Sequence, residues 1–277
     1  MMRLMTRDPV ADLVRRAHEA AVPVWRRGVR WMDDKRSVSG ERDASGRPVA
    51  NPGGVDLVTE GDLLVDGVIR EGLAELFPGV PLVSEESDPR EDGSEPPSDC
   101  FVLDPIDGTS NFASGLGLWA ISLARVQDSV PVEAWLIEGG TGTLSVGRRG
   151  GEATRGGRPM RVTEAGPQVG LLSVALAPAV VPLVLASRNF LGVRCLGSHA
   201  TALTWVADGL LGVHAGRGHP WDVAAGYVFL ECAGGRVTTL DGGERPFWSR
   251  AQALAGAPHI VELCLEILAN SDGMIRS

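Results

Sequence analysis

The chain has 277 residues, of which 44% are hydrophobic, and a formal net charge of −9. That length and apolar content suffice for a full hydrophobic core, so we expect a single domain over 1–277, with an N-terminal half of about 1–165 and a C-terminal half of about 166–277. The negative charge offers no basic surface for the phosphate backbone of nucleic acid. Nucleic acid is therefore not an expected partner.

The cysteine pattern and the hydropathy pattern both favour an intracellular protein. The four cysteines are isolated, with no Cys-x-x-Cys pair and no histidine at zinc-ligand spacing, which favours buried, reduced thiols. No stretch reaches the roughly 18 uninterrupted apolar residues that a membrane span needs, and residues 1–10 lack the apolar centre of a signal peptide. We expect a soluble cytoplasmic protein with no membrane partner.

Two amphipathic helices are predicted near the start of the chain. Asp8 can cap a first helix with Pro9 in its first turn, and apolar residues recur on one helical face as far as Trp25. Residues 33–54 are polar, charged and rich in Gly, Ser and Pro, which predicts a mobile loop. Thr59 can cap the second helix, which should end at Phe77-Pro78-Gly79.

The remaining elements are predicted to be strands first and then alternating strands and helices. Apolar or alternating runs predict strands at 80–83, 100–103, 119–126 and 132–137. The later elements are predicted as strand 171–174, helix 178–186, strand 193–196, helix 199–210 and strand 211–214, and the alternation continues to residue 268. This order is typical of layered sheets and helices.

The most informative segment is Asp104-Pro105-Ile106-Asp107-Gly108-Thr109-Ser110-Asn111-Phe112, directly after the predicted strand at 100–103. Two carboxylates three residues apart on a tight turn can enter one pocket, and Mg²⁺ prefers such oxygen ligands. Gly108 permits close approach to the backbone, so the amides of Gly108 and Thr109 could bind a phosphate. The alternative is an ordinary turn, because Asp-Pro and Asp-Gly are common turn formers.

Three further acidic residues have an ordinary structural explanation beside the functional one. Asp222 lies where a helix should begin, so it could bind a metal ion or cap the helix. Glu85 follows a predicted strand and could be a surface acid. Asp62 lies three residues after Thr59, a spacing that fits a capping box with Asp in place of the usual Glu or Gln.

Together these segments resemble the inositol monophosphatase family, whose signatures are an Asp-Pro-Ile-Asp-Gly-Thr loop and a later Trp-Asp-x-Ala-Ala-Gly helix start. Both occur here in that order, at 104–109 and 221–226, and the similarity extends from the first helix to about Leu268. It implies an α/β (α+β) fold, the layered α-β-α-β-α sandwich of the inositol monophosphatase and fructose-1,6-bisphosphatase type. It also implies a homodimer.

The resemblance also implies a site for two or three Mg²⁺ ions. Glu85, Asp104 and the carbonyl of Ile106 would hold one ion, and Asp104, Asp107 and Asp222 would hold a second. A third, weaker ion would use Glu85 and water.

The resemblance further implies the hydrolysis of a small-molecule phosphate monoester by in-line attack of Mg²⁺-activated water, with no phosphoenzyme. Thr109, linked to Asp62, would orient that water and help to deprotonate it. Lithium should inhibit the reaction. The implied substrate-binding residues are Asp107, Gly108, Thr109, Ser198, His199 and Asp222.

The identity of the substrate stays open at this point. Family members that act on inositol phosphate carry a glutamate seven residues before the Trp-Asp aspartate, where this chain has Ala215. Inositol phosphate, a sugar phosphate, histidinol phosphate and a nucleotide 3′-phosphate are all alternatives. His199 could contact the substrate or lie on a helix surface. A catalytically weak binding or regulatory relative is the alternative from another class.

Overall fold

The computed structural model describes residues 8–29, 32–34, 57–87, 96–165, 171–175 and 178–271. The helices within these ranges are α1 (Pro9–Arg27), α2 (Glu60–Leu76), α3 (Thr109–Ala113), α4 (Val181–Leu185), α5 (His199–Ala207), α6 (Pro220–Cys232) and α7 (Pro258–Ser271). Two 3₁₀ turns, Pro178–Val180 and Ser187–Asn189, flank α4.

The strands form two large sheets and one small ribbon. They are β1 (Met32–Asp34), β2 (Leu57–Thr59), β3 (Leu82–Ser84), β4 (Cys100–Asp107), β5 (Ala120–Gln127), β6 (Val130–Glu138), β7 (Leu144–Arg148), β8 (Ala153–Arg155), β9 (Arg158–Pro159), β10 (Leu171–Val174), β11 (Gly192–Arg194), β12 (Val213–Gly216), β13 (Arg236–Thr239) and β14 (Ala253–Gly256). The seven-stranded sheet has the order β3-β4-β5-β6-β7-β8-β9, the five-stranded sheet β11-β10-β12-β14-β13, and β1 pairs with β2.

Helices and sheets alternate in five layers. Helices α1 and α2 pack together on one face of the seven-stranded sheet, and α5 and α6 fill the space between the two large sheets. Helices α4 and α7 cover the far face of the five-stranded sheet. The α-β-α-β-α sandwich expected from the sequence is confirmed, because each sheet buries apolar residues on both of its faces.

Both N-terminal helices begin where the sequence predicts. Asp8 caps α1 by accepting hydrogen bonds from the backbone N–H groups of Val10 and Ala11, each at 3.0 Å. Thr59 caps α2 in the predicted capping box. Leu13 of α1 is fully buried against Gly72 of α2, where a Cβ would lie 2.4 Å from a leucine methyl group, so the two helices approach closely.

Several predicted boundaries are wrong. Strand β4 does not end at residue 103 but continues through Asp107. Asp33 and Asp34 belong to β1, not to a loop, while residues 35–54 of that predicted loop lie outside the described residues. Strands β2, β7, β8 and β9 were not predicted, and after α6 two consecutive strands, β13 and β14, take the place of the predicted alternation of helix and strand.

The cysteines are free thiols, but they are not all buried. Cys100 and Cys264 are buried as expected, Cys232 is partly exposed and Cys195 is exposed. Among the described helices, none has both the length and the apolar character of a membrane span.

Candidate active site

Three aspartates converge where β4 meets the start of α6. Asp104, Asp107 and Asp222 each place one carboxylate oxygen within 4.8 Å of the other two. Asp104 and Asp107 are only 2% and 5% exposed, and Asp222 is partly buried. The two segments that the sequence singled out therefore form one cluster, although 115 residues separate Asp107 from Asp222.

A β-bulge brings the first two aspartates to the same side of the sheet. Residues three apart on a regular strand point to opposite faces. Here Asp104 pairs with Ser122 of β5 and Asp107 pairs with Ala120, so three steps on β4 match two steps on β5. The extra residue in β4 reverses which face of the sheet each later side chain of the strand points to. A bulge inside the strand, and not the predicted turn after it, creates the shared pocket.

Asp107 also accepts hydrogen bonds from the start of α5. The backbone N–H of His199 lies 3.0 Å from Asp107 Oδ1, and that of Ala200 lies 2.8 Å from Oδ2. The hydroxyl of Ser198, the N-cap of α5, donates to Oδ2 as well. The N-terminal end of a helix favours a negative charge. This interaction connects the seven-stranded sheet to the C-terminal half of the chain.

Asp222 both caps a helix and lies in the carboxylate cluster, which are the two roles that the sequence left open. It is the third residue of α6, and its Oδ2 accepts a 2.7 Å hydrogen bond from the backbone N–H of His219, as in a capping box. Arg245 is buried and donates to the carbonyl of Gly218, at 3.2 Å, and to that of Ser249, at 2.8 Å. These hydrogen bonds fix the loop before α6, and Asp222 lies in the carboxylate cluster at the same time.

Clustering and burial make these carboxylates hard to ionise. Burial, and then repulsion from Asp222, raises the pKa of Asp107 to about 6. Burial likewise raises the pKa of Asp222 to about 6. For Asp104, burial and then the charges of Glu85 and Asp107 raise the pKa well above its usual value. A cation among these groups would relieve both effects.

The oxygen atoms of the cluster suit a divalent cation. Asp104 Oδ1 is buried and has no hydrogen-bond partner among the described residues, which is costly for a carboxylate oxygen unless a cation contacts it. Hard cations such as Mg²⁺ and Ca²⁺ bind carboxylate and carbonyl oxygens. Asp104, Asp107 and Asp222 could therefore hold such an ion.

Glu85 and Asp62 lie beside the cluster. Glu85 is partly buried at the end of β3, and its charge raises the pKa values of both Asp104 and Asp62. Asp62 Oδ2 accepts hydrogen bonds from the backbone N–H and the hydroxyl of Thr59, at 2.8 and 2.6 Å. Burial raises the pKa of Asp62 to about 7, and its Oδ1 has no partner within the described part of the chain.

Thr109 and Gly108 form the start of the short helix α3. The Thr109 hydroxyl donates its single proton to the carbonyl of Ile106 at 3.0 Å, so the link to Asp62 that the resemblance implies is not a hydrogen bond donated by this hydroxyl. Gly108 has a φ of 93°, and a Cβ there would lie 2.9 Å from the Leu118 carbonyl oxygen. Only glycine fits this position without a shift of the backbone.

Two residues near the site, His214 and Ser173, were not among those predicted from the sequence. His199 follows Ser198 and contacts His214 of β12, which in turn contacts Ser173 of β10. Ala215, at the position of the expected glutamate, is buried within β12. His214 and Ser173 carry no local motif, and only the pairing of β10 with β12 brings them together.

The layered fold and the carboxylate cluster at the end of β4 define a class of phosphatases that hydrolyse phosphate monoesters. The chain belongs to the inositol monophosphatase family, whose sequence profile matches residues 7–272. This finding confirms the family resemblance of the two signature segments.

Individual relatives agree with this assignment. Inositol monophosphatase 1 of Solanum lycopersicum is 31% identical over 241 residues, covering 81% of this chain and 86% of the relative. The probable inositol 1-monophosphatase ImpA of Mycobacterium tuberculosis is 34% identical over 233 residues, covering 78% and 83%. The structure of the Thermotoga maritima IMPase superimposes with a TM-score of 0.80 at 24% identity, covering 96% of this chain and 97% of that one.

Proposed function

We propose that this chain hydrolyses a small phosphorylated molecule with Mg²⁺ held at the aspartate cluster. The observation that carries the proposal is the convergence of Asp104, Asp107 and Asp222, with a buried oxygen of Asp104 that has no partner among the described residues. Helix capping accounts for parts of Asp107 and Asp222, but it does not account for the unpartnered oxygen of Asp104 or for three clustered carboxylates, which are unfavourable without a cation.

Complexes of relatives with the same fold support a metal and a phosphate at this place. An IMPase/NADP phosphatase has been determined with Mg²⁺ and phosphate, at a TM-score of 0.76 and 22% identity. An IMPase/NADP phosphatase has also been determined with NADP and Ca²⁺. Staphylococcal inositol monophosphatase-1 has been determined as an inhibitory complex after soaking in 100 mM LiCl. We therefore expect lithium to inhibit this chain.

The residues that would hold Mg²⁺ are the three aspartates, Glu85 and the carbonyl of Ile106, and they would serve two or three ions. Mg²⁺ bound there would lower the pKa of water and stabilise the charge on the leaving oxygen. Ile106 is fully buried in the bulge of β4, and Thr109 donates to its carbonyl. We infer that Thr109 acts mainly by fixing this carbonyl, and through it the bulge.

Asp62 is the proposed proton acceptor for the attacking water. A group accepts a proton most effectively when its pKa is close to the working pH, and burial raises the pKa of Asp62 to about 7. Thr59 holds one carboxylate oxygen, which leaves Oδ1 as the atom that can take the proton. The amides of Gly108 and Thr109 are proposed to bind the phosphate oxygens at the start of α3.

The rest of the substrate is proposed to contact Ser198 and His199. Ala215 has no carboxylate for the hydroxyl groups of inositol, so a sugar-like or nucleoside-like phosphate is favoured over strict use of inositol phosphate. A relative named SaIMPase-II has been determined with 2′AMP, at a TM-score of 0.74 and 20% identity, and this complex supports the nucleoside-like option. Histidinol phosphate is the other phosphatase alternative. A homodimer and a cytoplasmic location stay predictions.

A panel of phosphorylated compounds tests the proposal. The purified protein is incubated with Mg²⁺ and inositol phosphates, sugar phosphates, histidinol phosphate or nucleoside 2′-, 3′- and 5′-monophosphates, and released phosphate is measured with and without chelator. Release that the chelator abolishes, together with inhibition by millimolar lithium, is the expected result. Silence across the panel in a protein that binds Mg²⁺ by calorimetry would favour the regulatory alternative.

A further inference from the structure

Three side chains form a hydrogen-bonded chain that leads from the five-stranded sheet to the edge of the aspartate cluster. Ser173 of β10 and His214 of β12 are register partners on neighbouring parallel strands. Ser173 Oγ lies 3.0 Å from His214 Nδ1, and His214 Nε2 lies 3.0 Å from His199 Nδ1. The backbone N–H of His199 also donates to Asp107, and the His199 side chain interacts electrostatically with that carboxylate, so the residue lies directly beside the cluster.

The surroundings fix the orientation of both imidazole rings. The rings meet edge to face, with centroids 5.1 Å apart and an interplanar angle of 81°. Gly216 closes against them, since a Cβ at that position would lie 2.9 Å from His199 Cε1 and 3.1 Å from His214 Nε2. A larger residue at position 216 would push against both rings. The chain Ser173-His214-His199 is therefore a packed unit.

The two hydrogen bonds that join Ser173, His214 and His199 must both run in the same direction. Burial, and then the nearby His199, lowers the pKa of His214 well below its usual value, so this ring is neutral and carries one N–H. Two arrangements are then possible. Either Ser173 donates to His214 and His214 donates to His199, or both hydrogen bonds run the opposite way.

The burial of Ser173 decides between the two directions. Its side chain is fully buried, and its hydroxyl has no second hydrogen-bond partner in the described ranges. If Ser173 accepted from His214, its own proton would have no acceptor, at a cost of about 1–3 kcal/mol. If Ser173 donates to His214 Nδ1, the donor left over is the Nε2–H of His199, whose side chain is partly exposed and not fully buried like that of Ser173. His214 Nε2 then donates to His199 Nδ1, and the proton of a neutral His199 lies on Nε2.

We propose that Ser173 and His214 are positioning residues that hold His199 as the Nε2–H tautomer, so that His199 donates a hydrogen bond to an oxygen of the substrate next to its phosphate. His199 Nδ1 is occupied by His214, and the half-buried ring has only Nε2 left to offer. This inference rests on the proposed function and narrows it. The site selects phosphate esters that carry an acceptor oxygen, such as a hydroxyl or ring oxygen, near the ester.

Nitrogen NMR of the histidine rings tests the tautomer without any substrate. The protein has five histidines, whose ¹⁵N signals can be assigned with single His→Gln variants. In the metal-free wild-type protein, His199 and His214 should both show a protonated Nε2 and an unprotonated Nδ1. In Ser173→Ala no hydroxyl fixes the tautomer of His214, so both rings should show a mixture of the Nε2–H and Nδ1–H forms. An Nδ1–H tautomer of His199 in the wild type, or unchanged tautomers in Ser173→Ala, would overturn the proposal.

Kinetics on the best substrate of the panel test the contact itself. Ser173→Ala should raise KM about fivefold to tenfold and change kcat by less than about twofold, because one hydrogen bond to the substrate is weakened. His199→Gln keeps an N–H donor and should stay closer to the wild type than His199→Leu. His259→Gln, on a histidine that contacts the Ala165 carbonyl, is the matched control and should leave KM unchanged.

The kinetic outcomes separate this inference from the proposed function. Equal KM values for His199→Gln, His199→Leu and the wild type would overturn the substrate contact while leaving the phosphatase function intact. A wild-type protein that hydrolyses nothing on the panel would contradict the proposed function and with it the substrate contact, whereas the tautomer measurement would still confirm or overturn the positioning of His199 by Ser173 and His214.

Discussion

The hydroxyl of Ser198 donates to Asp107 Oδ2 across 91 residues of sequence, and this contact joins the bulge of β4 to the start of α5. Ser198 acts twice, because its side chain also accepts from the backbone N–H of Thr201 as the N-cap of α5. The helix start and the orientation of a proposed metal ligand therefore depend on one side chain.

We predict that Ser198→Ala weakens both stability and Mg²⁺ binding. Loss of the cap should lower the free energy of unfolding by about 1 kcal/mol, as measured by urea denaturation. Loss of a hydrogen bond to the carboxylate of Asp107 should raise its pKa further, so calorimetry at pH 7 should show a lower Mg²⁺ affinity. Ser198→Thr keeps the hydroxyl and should resemble the wild type. Unchanged values in Ser198→Ala would show that the contact has neither role.

The pH dependence of stability tests the charge repulsion in the cluster. An unfolded aspartate ionises near its usual pKa of about 3.9, whereas folded Asp107 and Asp222 keep their protons up to about pH 6. The folded state thus binds more protons between these values, so the metal-free protein should lose stability as the pH rises from about 4 to about 6.

Asp222→Asn should remove part of this pH-dependent loss. The amide oxygen can still accept from His219, but no charge develops, so the metal-free variant should melt at least about 3 °C above the wild type at pH 7.5. At pH 4 the two proteins should melt at similar temperatures. Thermal denaturation in chelator measures both, and a variant that is less stable than the wild type at pH 7.5 would contradict the predicted repulsion.

A largely buried ion-pair network connects the two halves of the chain. It includes none of the three aspartates of the cluster. Arg155 of β8 donates to both carboxylate oxygens of Glu138, at 2.5 and 3.0 Å, and to Asp208 at the end of α5, at 3.1 Å. We predict that Arg155→Met lowers the free energy of unfolding by about 3 kcal/mol, because the buried carboxylate of Glu138 and the partly buried one of Asp208 lose their partner.

The control for this prediction is the exposed neighbour Arg158 of β9, which is the register partner of Arg155. Arg158→Met should change stability by less than about 0.5 kcal/mol. Urea denaturation of both variants makes the comparison, and equal effects would show that the network contributes nothing specific. Arg155→Met should retain its Mg²⁺ affinity, since it touches none of the proposed ligands.

Features coded by a few neighbouring residues were predicted from the sequence. Asp8 and Thr59 indicate where α1 and α2 begin. The signal is local, because an N-cap side chain binds backbone groups only two or three residues away. The aspartates at 104 and 107 were found as a pair for a similar reason. The bulge that brings them together was not predicted. It depends on how β4 pairs with β5, and the local spacing does not specify that pairing.

Features that depend on strand order and register could not be predicted from the sequence. Ser173 and His214 meet only because β10 and β12 are neighbours, and neither residue lies in a recognisable motif. The same holds for Arg155, whose two acidic partners come from β6 and the end of α5. Thr109 was assigned to Asp62 by resemblance, whereas its hydroxyl contacts the carbonyl three residues before it.

The most direct test of the account is Mg²⁺-dependent phosphate release by the wild type and by Asp104→Asn. Asp104 interacts electrostatically with Glu85, Asp107 and Asp222, and its buried Oδ1 has no hydrogen-bond partner among the described residues. We predict that the wild type releases phosphate in a reaction that chelator abolishes, and that a folded Asp104→Asn variant loses at least about a hundredfold in rate. Near-normal release by that variant would contradict the assignment of the active site.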